Sequence, residues 1–321
     1  MKHIRSRYSK SHLFALATII LWASAFPLTK LALGYYSVHS IGVLRYTAAS
    51  AVLLIIALFK KIGLPALKDI PKFLVSGALG FTVYMIVFNE ASRTLSSATG
   101  SILISSAPVI TALLAGLVFR ERIHPLGWAA IGISFIGILV LTLWDGVISM
   151  NTGVFWMLAA SLCISLYNLF QRQYAKRYTA LQSTAYNIFA GTLLLQIFMP
   201  KAAGEIAAAP PIQWAIIIFM GLFPSALAYL FWATAISCAE KTSDVTNFMF
   251  VTPFLASIMG FIMIGEMPSP ATFAGGVLII GGLLVYERVN VRVKTLAASL
   301  QEPDSEPKDK TAPPVLAGKD H

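Results

Sequence analysis

One arginine, Arg45, lies inside a long apolar stretch of the chain and is the residue best suited to bind a charged ligand. It lies about seven residues from the start of that stretch, which at about 1.5 Å per helical residue places it roughly 10 Å below a membrane surface. A charge at that depth costs about 2.5 kcal/mol or more unless it faces protein or water. Its planar, two-pronged donor suits the carboxylate of an amino acid or organic acid. The alternative is a structural ion pair with Glu90, which has a similar predicted depth, and we favour this pair slightly over ligand binding.

Small polar residues and prolines form a second group of candidates in two other apolar stretches. They are Ser97, Ser101, Ser105 and Pro108 in one stretch, and Asn247, Pro253 and Ser257 in the other. Serines at i, i+4 spacing either let helices pack closely or line a wet cavity, and we favour packing. Pro108 frees a backbone carbonyl near the middle of its helix that a ligand could meet. Asn247 is the best candidate of this group for ligand contact, because a lone amide in a membrane helix needs a polar neighbour.

Seven aromatic residues fall within the apolar stretches rather than at their ends, and they are Trp22, Phe26, Tyr84, Tyr167, Tyr186, Tyr229 and Trp232. Packing is the favoured role for most of them, as in any helical bundle. A pocket for amino acids or drug-like amphiphiles would nevertheless use such side chains. Tyr84 and Tyr229 carry more weight, because a shift of 145 residues superposes one on the other.

The composition is that of a membrane protein, with 57% hydrophobic and 12% charged residues. A helix needs about 20 apolar residues to cross about 30 Å of hydrocarbon. The pattern predicts ten such helices, at residues 13–33, 38–59, 72–92, 97–119, 125–144, 153–171, 181–200, 212–236, 243–264 and 269–288. The predicted fold class is therefore an all-α polytopic membrane protein with ten transmembrane helices.

The net charge of +10 comes from basic residues that cluster on one side of the predicted membrane. The opposite loops hold little more than Lys30, Arg93 and Lys201. Such a bias marks the cytoplasmic side of a membrane protein, so it reports orientation and not a nucleic-acid partner. We therefore expect both termini in the cytoplasm.

One short pattern occurs twice with the same internal spacing, as Pro108…Glu121…Pro125 and Pro253…Glu266…Pro270. The shift of 145 residues that relates the copies also superposes Gly137 on Gly282. Each copy ends a set of five predicted helices. Because five is odd, the second set must enter the membrane from the opposite face, which makes the repeats inverted. Glu121 and Glu266 lie in turns at helix ends, so a turn-fixing role is favoured over a proton relay.

The predicted organisation is a cytoplasmic N-terminus at residues 1–12, five-helix repeats at 13–144 and 153–288, and a disordered cytoplasmic tail at 289–321. The N-terminus has a second interpretation. Its basic start, the apolar stretch from Leu13 and Ala23-Ser24-Ala25 imitate a cleavable signal peptide. We favour a retained helix, because the apolar stretch continues through Leu33 and the first repeat needs a helix to match the sixth.

The arrangement resembles the drug/metabolite transporter superfamily, and within it the bacterial ten-helix family with two EamA-type repeats. The resemblance rests on residues 22–27, on Arg45-Tyr46 and on the two Pro…Glu blocks that end at Gly137 and Gly282. It implies a bacterial plasma (inner) membrane protein with a central cavity between helices 1–4 and 6–9, and with helices 5 and 10 packed outside as supports. One departure is Tyr186-Asn187, which replaces the Arg-Tyr pair in the second half. A cationic anchor on both sides of the seam therefore cannot be assumed.

The function expected from this resemblance is secondary transport, with export of small metabolites or amino acids by alternating access. No P-loop is present, so we expect no ATP drive within this chain, and we expect neither a cofactor nor a metal. An intramembrane enzyme and a non-transporting scaffold are the alternatives. The enzyme is disfavoured, because the five histidines fall in loops, tails or helix ends. The expected partners are a small-molecule substrate and the lipid bilayer, with a homodimer left open.

Overall fold

The computed structural model describes residues 2–107, 109–111, 113–114, 125–143, 152–174, 177–238 and 247–299, and these contain helices and turns but no strand. We number the main helices in chain order. They are α1 (Lys2–Leu33), α2 (Val38–Phe59), α3 (Ile70–Gly77, Ala78–Val83 and Tyr84–Ser92), α4 (Ser97–Ile104), α5 (Pro125–Leu143), α6 (Thr152–Tyr174), α7 (Ala180–Leu195), α8 (Pro211–Met220, Gly221–Leu227 and Ala228–Cys238), α9 (Thr252–Ile264) and α10 (Pro270–Ser299).

Within the described residues, five helices are long and apolar enough to cross a membrane. These stretches are Lys10–Leu33, Val38–Phe59, Leu67–Ser92, Thr152–Gln171 and Pro211–Trp232, and shorter apolar helices accompany them. Large apolar side chains also cover the outside of the bundle, as at Ile262 and Val277, which are 73% and 70% exposed. Such a surface suits lipid rather than water. The chain is therefore an all-α, multi-pass membrane protein.

Capping residues determine where several of these helices begin and end. The Ser96 side chain accepts a hydrogen bond from the backbone N–H of Thr99 at the start of α4. Thr179 and Gln182 form a reciprocal capping box at the start of α7. Gly265 ends α9 with a φ of 69°, a left-handed conformation that glycine adopts without strain. Glu266 follows it directly, so this glycine places the carboxylate in the α9–α10 turn.

The helices pack in pairs that follow a two-fold relation between the halves. In the first half α1 contacts α8 and α9, and in the second half α6 contacts α3 and α4 in the same way. Helix α2 contacts α7 and α8, and α7 correspondingly contacts α2 and α3. The remaining pairs, α4 with α9 and α5 with α10, join equivalent helices. The fold therefore consists of two five-helix repeats, and the odd number of helices in each makes them inverted.

Helices α5 and α10 pack together along their length, and two repeat-related glycines allow the close approach. A Cβ at Gly137 would lie 2.7 Å from the carbonyl oxygen of Gly275, and a Cβ at Gly282 would lie 2.7 Å from that of Ala130. A Cβ at the neighbouring Gly281 would meet only open space. Close contact therefore uses one edge of α10.

Equivalent π-helical turns interrupt α3 at Ala78–Val83 and α8 at Gly221–Leu227. In α8 the turn contains Pro224, which lacks the N–H that a regular helix would need. Each turn begins at a close contact between helices. A Cβ at Gly77, just before the turn in α3, would lie 2.6 Å from the Asn187 carbonyl oxygen. A Cβ at Gly221, the first residue of the turn in α8, would lie 2.7 Å from the Arg45 carbonyl oxygen. The sequence did not predict these turns, which often mark functional sites.

We name each end of the bundle after one residue that lies there. The Lys30 face holds the α1–α2, α3–α4 and α9–α10 turns, and the Asp69 face holds the α2–α3 and α6–α7 connections. At the Asp69 face, the Tyr178 hydroxyl donates to the Asp69 carboxylate at 2.9 Å. At the Lys30 face, the Ser37 backbone N–H donates to Glu205 at 2.7 Å. These related contacts join a long connection of one half to a short turn of the other.

Some predicted boundaries differ from those observed. Helix α10 continues to Ser299, so the disordered tail predicted from residue 289 is wrong for its first 11 residues, 289–299. These residues contain neither proline nor glycine and extend the helix without interruption. Residues 300–321 lie outside the described part. Helix α7, predicted to end at residue 200, ends at Leu195, where a 3-10 turn, Gln196–Phe198, leads into a short helix, Met199–Ala208.

Candidate functional site

Arg45 is buried between α2 and α8 and has a single hydrogen bond. It is 5% exposed, and its Nε donates to the Ser225 hydroxyl at 2.5 Å. Its two terminal nitrogens donate to no described residue, and no described carboxylate forms an ion pair with it. The close approach of α8 at Gly221, one turn before Ser225, explains this geometry. The sequence offered no signal for Ser225 beyond its position beside a proline.

The predicted ion pair between Arg45 and Glu90 does not form. The Glu90 carboxylate instead accepts a hydrogen bond from Arg93 at 2.9 Å, one helical turn further along. Both side chains of that pair are partly exposed, at 33% and 59%. Similar depth along the membrane normal was the only basis for the prediction, and depth does not determine which way a side chain points around its helix.

Tyrosines lie near the buried guanidinium. Its carbon lies 5.8 Å from the ring centre of Tyr46. Tyr84 and Tyr229 are close enough to interact with Arg45 electrostatically, and both are half-buried. The repeat-related pair of tyrosines therefore lies at the seam, next to Arg45.

The central aromatic cluster, as we call it, fills the space between the halves around Phe81. The Phe81 ring lies 5.3 Å from Tyr46, 5.2 Å from Tyr167 and 5.8 Å from Tyr229, measured between ring centres. The wide central cavity implied by the resemblance is therefore absent among the described residues. Edge-to-face packing of these rings closes the seam in this conformation.

The other predicted aromatic candidates extend the central aromatic cluster towards both ends. Trp22 contacts Tyr229 and Trp232, with ring centres 5.5 and 5.2 Å away. Phe26 contacts Phe88 at 5.3 Å. The structure thus brings together six of the seven aromatic residues selected from the sequence, which are Trp22, Phe26, Tyr84, Tyr167, Tyr229 and Trp232.

Tyr186 lies elsewhere, at the Asp69 face. Its ring packs edge-on to Phe73 and Tyr178, and its hydroxyl donates to the Gly63 carbonyl oxygen. Its place in the sequence, opposite Arg45-Tyr46 in the repeat alignment, suggested a substrate-binding role. The structure separates Tyr186 from the Arg45 site and gives it a role in packing the α2–α3 connection.

The polar stripe of α4 packs against α6 and its own helix. Ser105 donates to the Ser101 carbonyl oxygen at 2.8 Å, and Ser165 of α6 donates to the Ala107 carbonyl oxygen at 2.9 Å. In α9, Pro253 is buried in the first turn of the helix. Neither Ser105 nor Pro253 has a described contact with Arg45. Pro108, Glu121 and the side chain of Asn247 lie outside the described residues.

A second charged group joins three elements at the Lys30 face. The Lys30 ammonium forms an ion pair with Glu266 and donates to the Leu95 carbonyl oxygen at 3.0 Å. The backbone N–H of Ser97 donates to the other Glu266 oxygen at 2.8 Å. Burial raises the pKa of Glu266, but the hydrogen bonds from Lys30 and Ser97 outweigh it and leave the pKa below its usual range.

Comparison with known proteins gives this geometry a context. The EamA-like transporter family matches residues 9–143 and 151–287, one stretch in each half. A Bacillus subtilis protein named "Uncharacterized transporter YdfC" is 32% identical over 84% of this chain and 89% of its own length. A Streptantibioticus cattleyicolor protein named "Probable terminal-alkyne amino-acid exporter" is 30% identical over 88% of this chain and 95% of its own length.

One solved structure shows the same fold. It superposes with a TM-score of 0.59 at 20% identity, and the match covers 88% of this chain and 98% of that one. The intramembrane-enzyme alternative finds no support, because both relatives described above are named as transporters or exporters. The two repeats, the pairing of their helices and the family match over most of the chain all point to the same family. The chain belongs to the EamA-like transporter family and is a membrane transporter.

Proposed function

We propose that this protein exports small carboxylate-bearing metabolites, amino acids among them, by alternating access between its two repeats. In this proposal the Asp69 face is cytoplasmic and the Lys30 face is external, in a bacterial plasma membrane. Arg45 binds the substrate carboxylate at the seam. The single observation that carries the proposal is the buried guanidinium of Arg45, which has a hydroxyl partner but no described carboxylate.

Charge balance supports a carboxylate as the ligand. The carboxylates whose side chains are described all lie in or beside the connections between membrane helices, and each forms an ion pair with a lysine or with an arginine other than Arg45; they are Asp69, Glu90, Glu205 and Glu266. A buried cation without a counter-ion is unfavourable, and a ligand that brings a negative charge relieves that cost. The two free terminal nitrogens can form parallel hydrogen bonds to both oxygens of one carboxylate. The guanidinium therefore favours an acid over its neutral analogues.

The surroundings of Arg45 indicate what else the ligand carries. The central aromatic cluster places rings near Arg45, and rings bind apolar side chains by contact and ammonium groups through their π faces. A small amino acid with an apolar side chain satisfies both requirements. The relative named as an amino-acid exporter agrees with this substrate class.

The way the halves meet supports the proposal of alternating access. Each half contributes to the site, since Arg45 comes from α2 and Ser225 and Tyr229 come from α8. Packed aromatic rings close the seam in this conformation. Rocking of one repeat against the other would open the site to one face at a time, as in other transporters built from inverted repeats.

Ligand-dependent thermal unfolding of the purified protein tests the assignment of Arg45. We expect carboxylates from a panel of L-amino acids and short-chain organic acids to raise the midpoint, and their amides to leave it unchanged, because binding stabilises the folded state. Arg45→Gln should remove the shift, since a charge-assisted pair contributes about 1.5–3 kcal/mol.

The matched control is Arg93→Gln, which removes an exposed arginine from a surface ion pair and should keep the shift. Equal stabilisation by an acid and its amide would refute carboxylate recognition. A shift of normal size in Arg45→Gln would show that the acid binds elsewhere.

A further inference from the structure

At the Lys30 face, one half of the protein binds a carboxylate that belongs to the other half. The donors are the Lys30 ammonium and the backbone N–H of Ser97, both in the first half. Ser97 is the first residue of α4, where the helix end carries a partial positive charge. The acceptor is Glu266, in the α9–α10 turn of the second half. Glu266 thus occupies an anion site built by α1 and α4.

A narrow recess adjoins this anion site, and in this conformation it has no room for a water molecule. Besides Lys30 and Ser97, it is lined by Phe26, Ser92, Leu95, Ser96, Gly100 and Met157. The Ser97 hydroxyl is buried there, close to the Glu266 carboxylate. This end of the protein therefore presents an ammonium, a helix N-terminus and a buried hydroxyl next to apolar surface, which is the donor set of a carboxylate site.

One face of α3 connects the recess with Arg45. Tyr84, Phe88 and Ser92 follow one another at i, i+4 spacing, so they lie on the same side of the helix. Tyr84 lies near Arg45, and Ser92 lines the recess, about 12 Å further along the helix axis. Phe88 lies between them and packs against Phe26, with ring centres 5.3 Å apart. This aromatic pair separates the recess from the central site.

We propose that Lys30 and the first turn of α4 form a second carboxylate site, at the external end of the export route. Glu266 fills this site while the route is closed, and the carboxylate of the departing metabolite takes its place when the route opens. The inference rests on the proposed function. Because Glu266 and the substrate present the same chemical group, they compete for the same donors. Release of Glu266 detaches the α9–α10 turn from α1 and α4, so arrival of the substrate opens the contact between the halves.

Labelling of a cysteine in the recess tests this site. In a chain with Cys163→Ala and Cys238→Ala, Ser92→Cys reports access to the recess through its rate of reaction with a maleimide in detergent solution. We expect slow labelling with Glu266 present and about tenfold faster labelling in Glu266→Ala, because a charge-assisted contact is lost. Sodium acetate should restore slow labelling in Glu266→Ala, whereas acetamide, or sodium chloride at equal ionic strength, should not.

Two further variants identify the donors and control for general effects. Adding Lys30→Gln to Glu266→Ala should abolish the effect of acetate. Glu90→Ala removes a partly exposed carboxylate from the same face and should label at the parent rate. Glu266→Gln, which keeps the side-chain shape without its charge, replaces Glu266→Ala if the alanine variant does not fold, and it should also label faster.

The inference is overturned if removal of Glu266 leaves the labelling rate unchanged, or if acetate and acetamide act alike. It is also overturned if acetate still protects after Lys30→Gln. These outcomes are independent of the thermal unfolding of Arg45 variants, since the labelled cysteine reports only the external end and the probe is acetate. Failure at one end of the route is thus distinguishable from failure at the other.

Discussion

Arg45 and Lys30 are both cations within the helical bundle, and they differ in how their charge is balanced. Lys30 has a carboxylate of the protein, Glu266, whereas Arg45 has the hydroxyl of Ser225. A lysine ammonium can leave a partner and return to it, while a guanidinium offers a rigid fork suited to one planar acid. These chemical properties fit a contact that opens in each cycle and a site that selects the substrate.

The sequence identified the important cation but not its partners. Arg45 was identified because a charge within an apolar helix is costly unless it has a polar partner or a functional role. That argument requires no structure. Its supposed partner Glu90 proved to bond Arg93, a local contact that ordinary helical spacing explains. The Arg45–Ser225 hydrogen bond joins residues that are 180 positions apart, and the Lys30–Glu266 ion pair joins residues that are 236 positions apart. One sequence does not reveal such distant contacts.

The Asp69 carboxylate gives a pH-dependent prediction at the residue scale. The hydrogen bond from Tyr178 is the largest cause that lowers its pKa, and Arg177 and Lys72 lower it further. A group whose pKa is lowered on folding stabilises the fold when ionised, and that contribution is lost as the pH falls through the folded pKa. We expect the thermal unfolding midpoint to decrease as the pH is lowered from about 5 to about 3. The decrease should be smaller in Asp69→Asn.

The measurement is thermal unfolding of both proteins across this range, with Glu90→Gln as the control for loss of a carboxylate. At pH 7 the asparagine variant should be the less stable protein. A pH profile for Asp69→Asn that parallels the parent profile would show that Asp69 does not carry this dependence.

Whole helices were easier to predict than the irregular turns within them. Apolar length alone locates α1, α2 and α6 to within a few residues of the predicted ends of their membrane stretches. The π-helical turns of α3 and α8 have no comparable signal, because each covers only six or seven residues of a stretch that is mostly apolar. Yet the turn in α8 carries Ser225, so irregular backbone supplies the partner of Arg45.

The packing of α5 against α10 gives a prediction at the element scale from two adjacent glycines. Gly282→Ala should destabilise the protein by about 1–3 kcal/mol, because its new Cβ would overlap the backbone of α5. Gly281→Ala should be neutral or stabilising by up to about 1 kcal/mol, since it faces open space and alanine favours a helix. Thermal unfolding of the two variants side by side measures the difference, and equal midpoints would contradict close packing at Gly282.

At the scale of the whole molecule, the two halves match in architecture and differ in charge. The Asp69 and Glu205 contacts are related by the two-fold pairing of the connections. The Lys30–Glu266 pair has no such counterpart in sequence, because the front of each half aligns at a shift of 141 residues, which places Gln171 where the first half has Lys30. Gln171 donates to the Tyr167 hydroxyl instead. The protein therefore combines a symmetric scaffold with ion pairs that differ between its two faces.

Exchange of radiolabelled L-amino acids in proteoliposomes tests carboxylate transport through the Arg45 site. Vesicles that contain the purified protein and an unlabelled amino acid are given the labelled form outside, and accumulation is compared with that in protein-free vesicles. We predict exchange by the parent protein and by Arg93→Gln, inhibition by excess acid but not by its amide, and a loss of about tenfold or more in Arg45→Gln. Exchange by Arg45→Gln at the parent rate, or no exchange of any amino acid by the parent protein, would contradict the account.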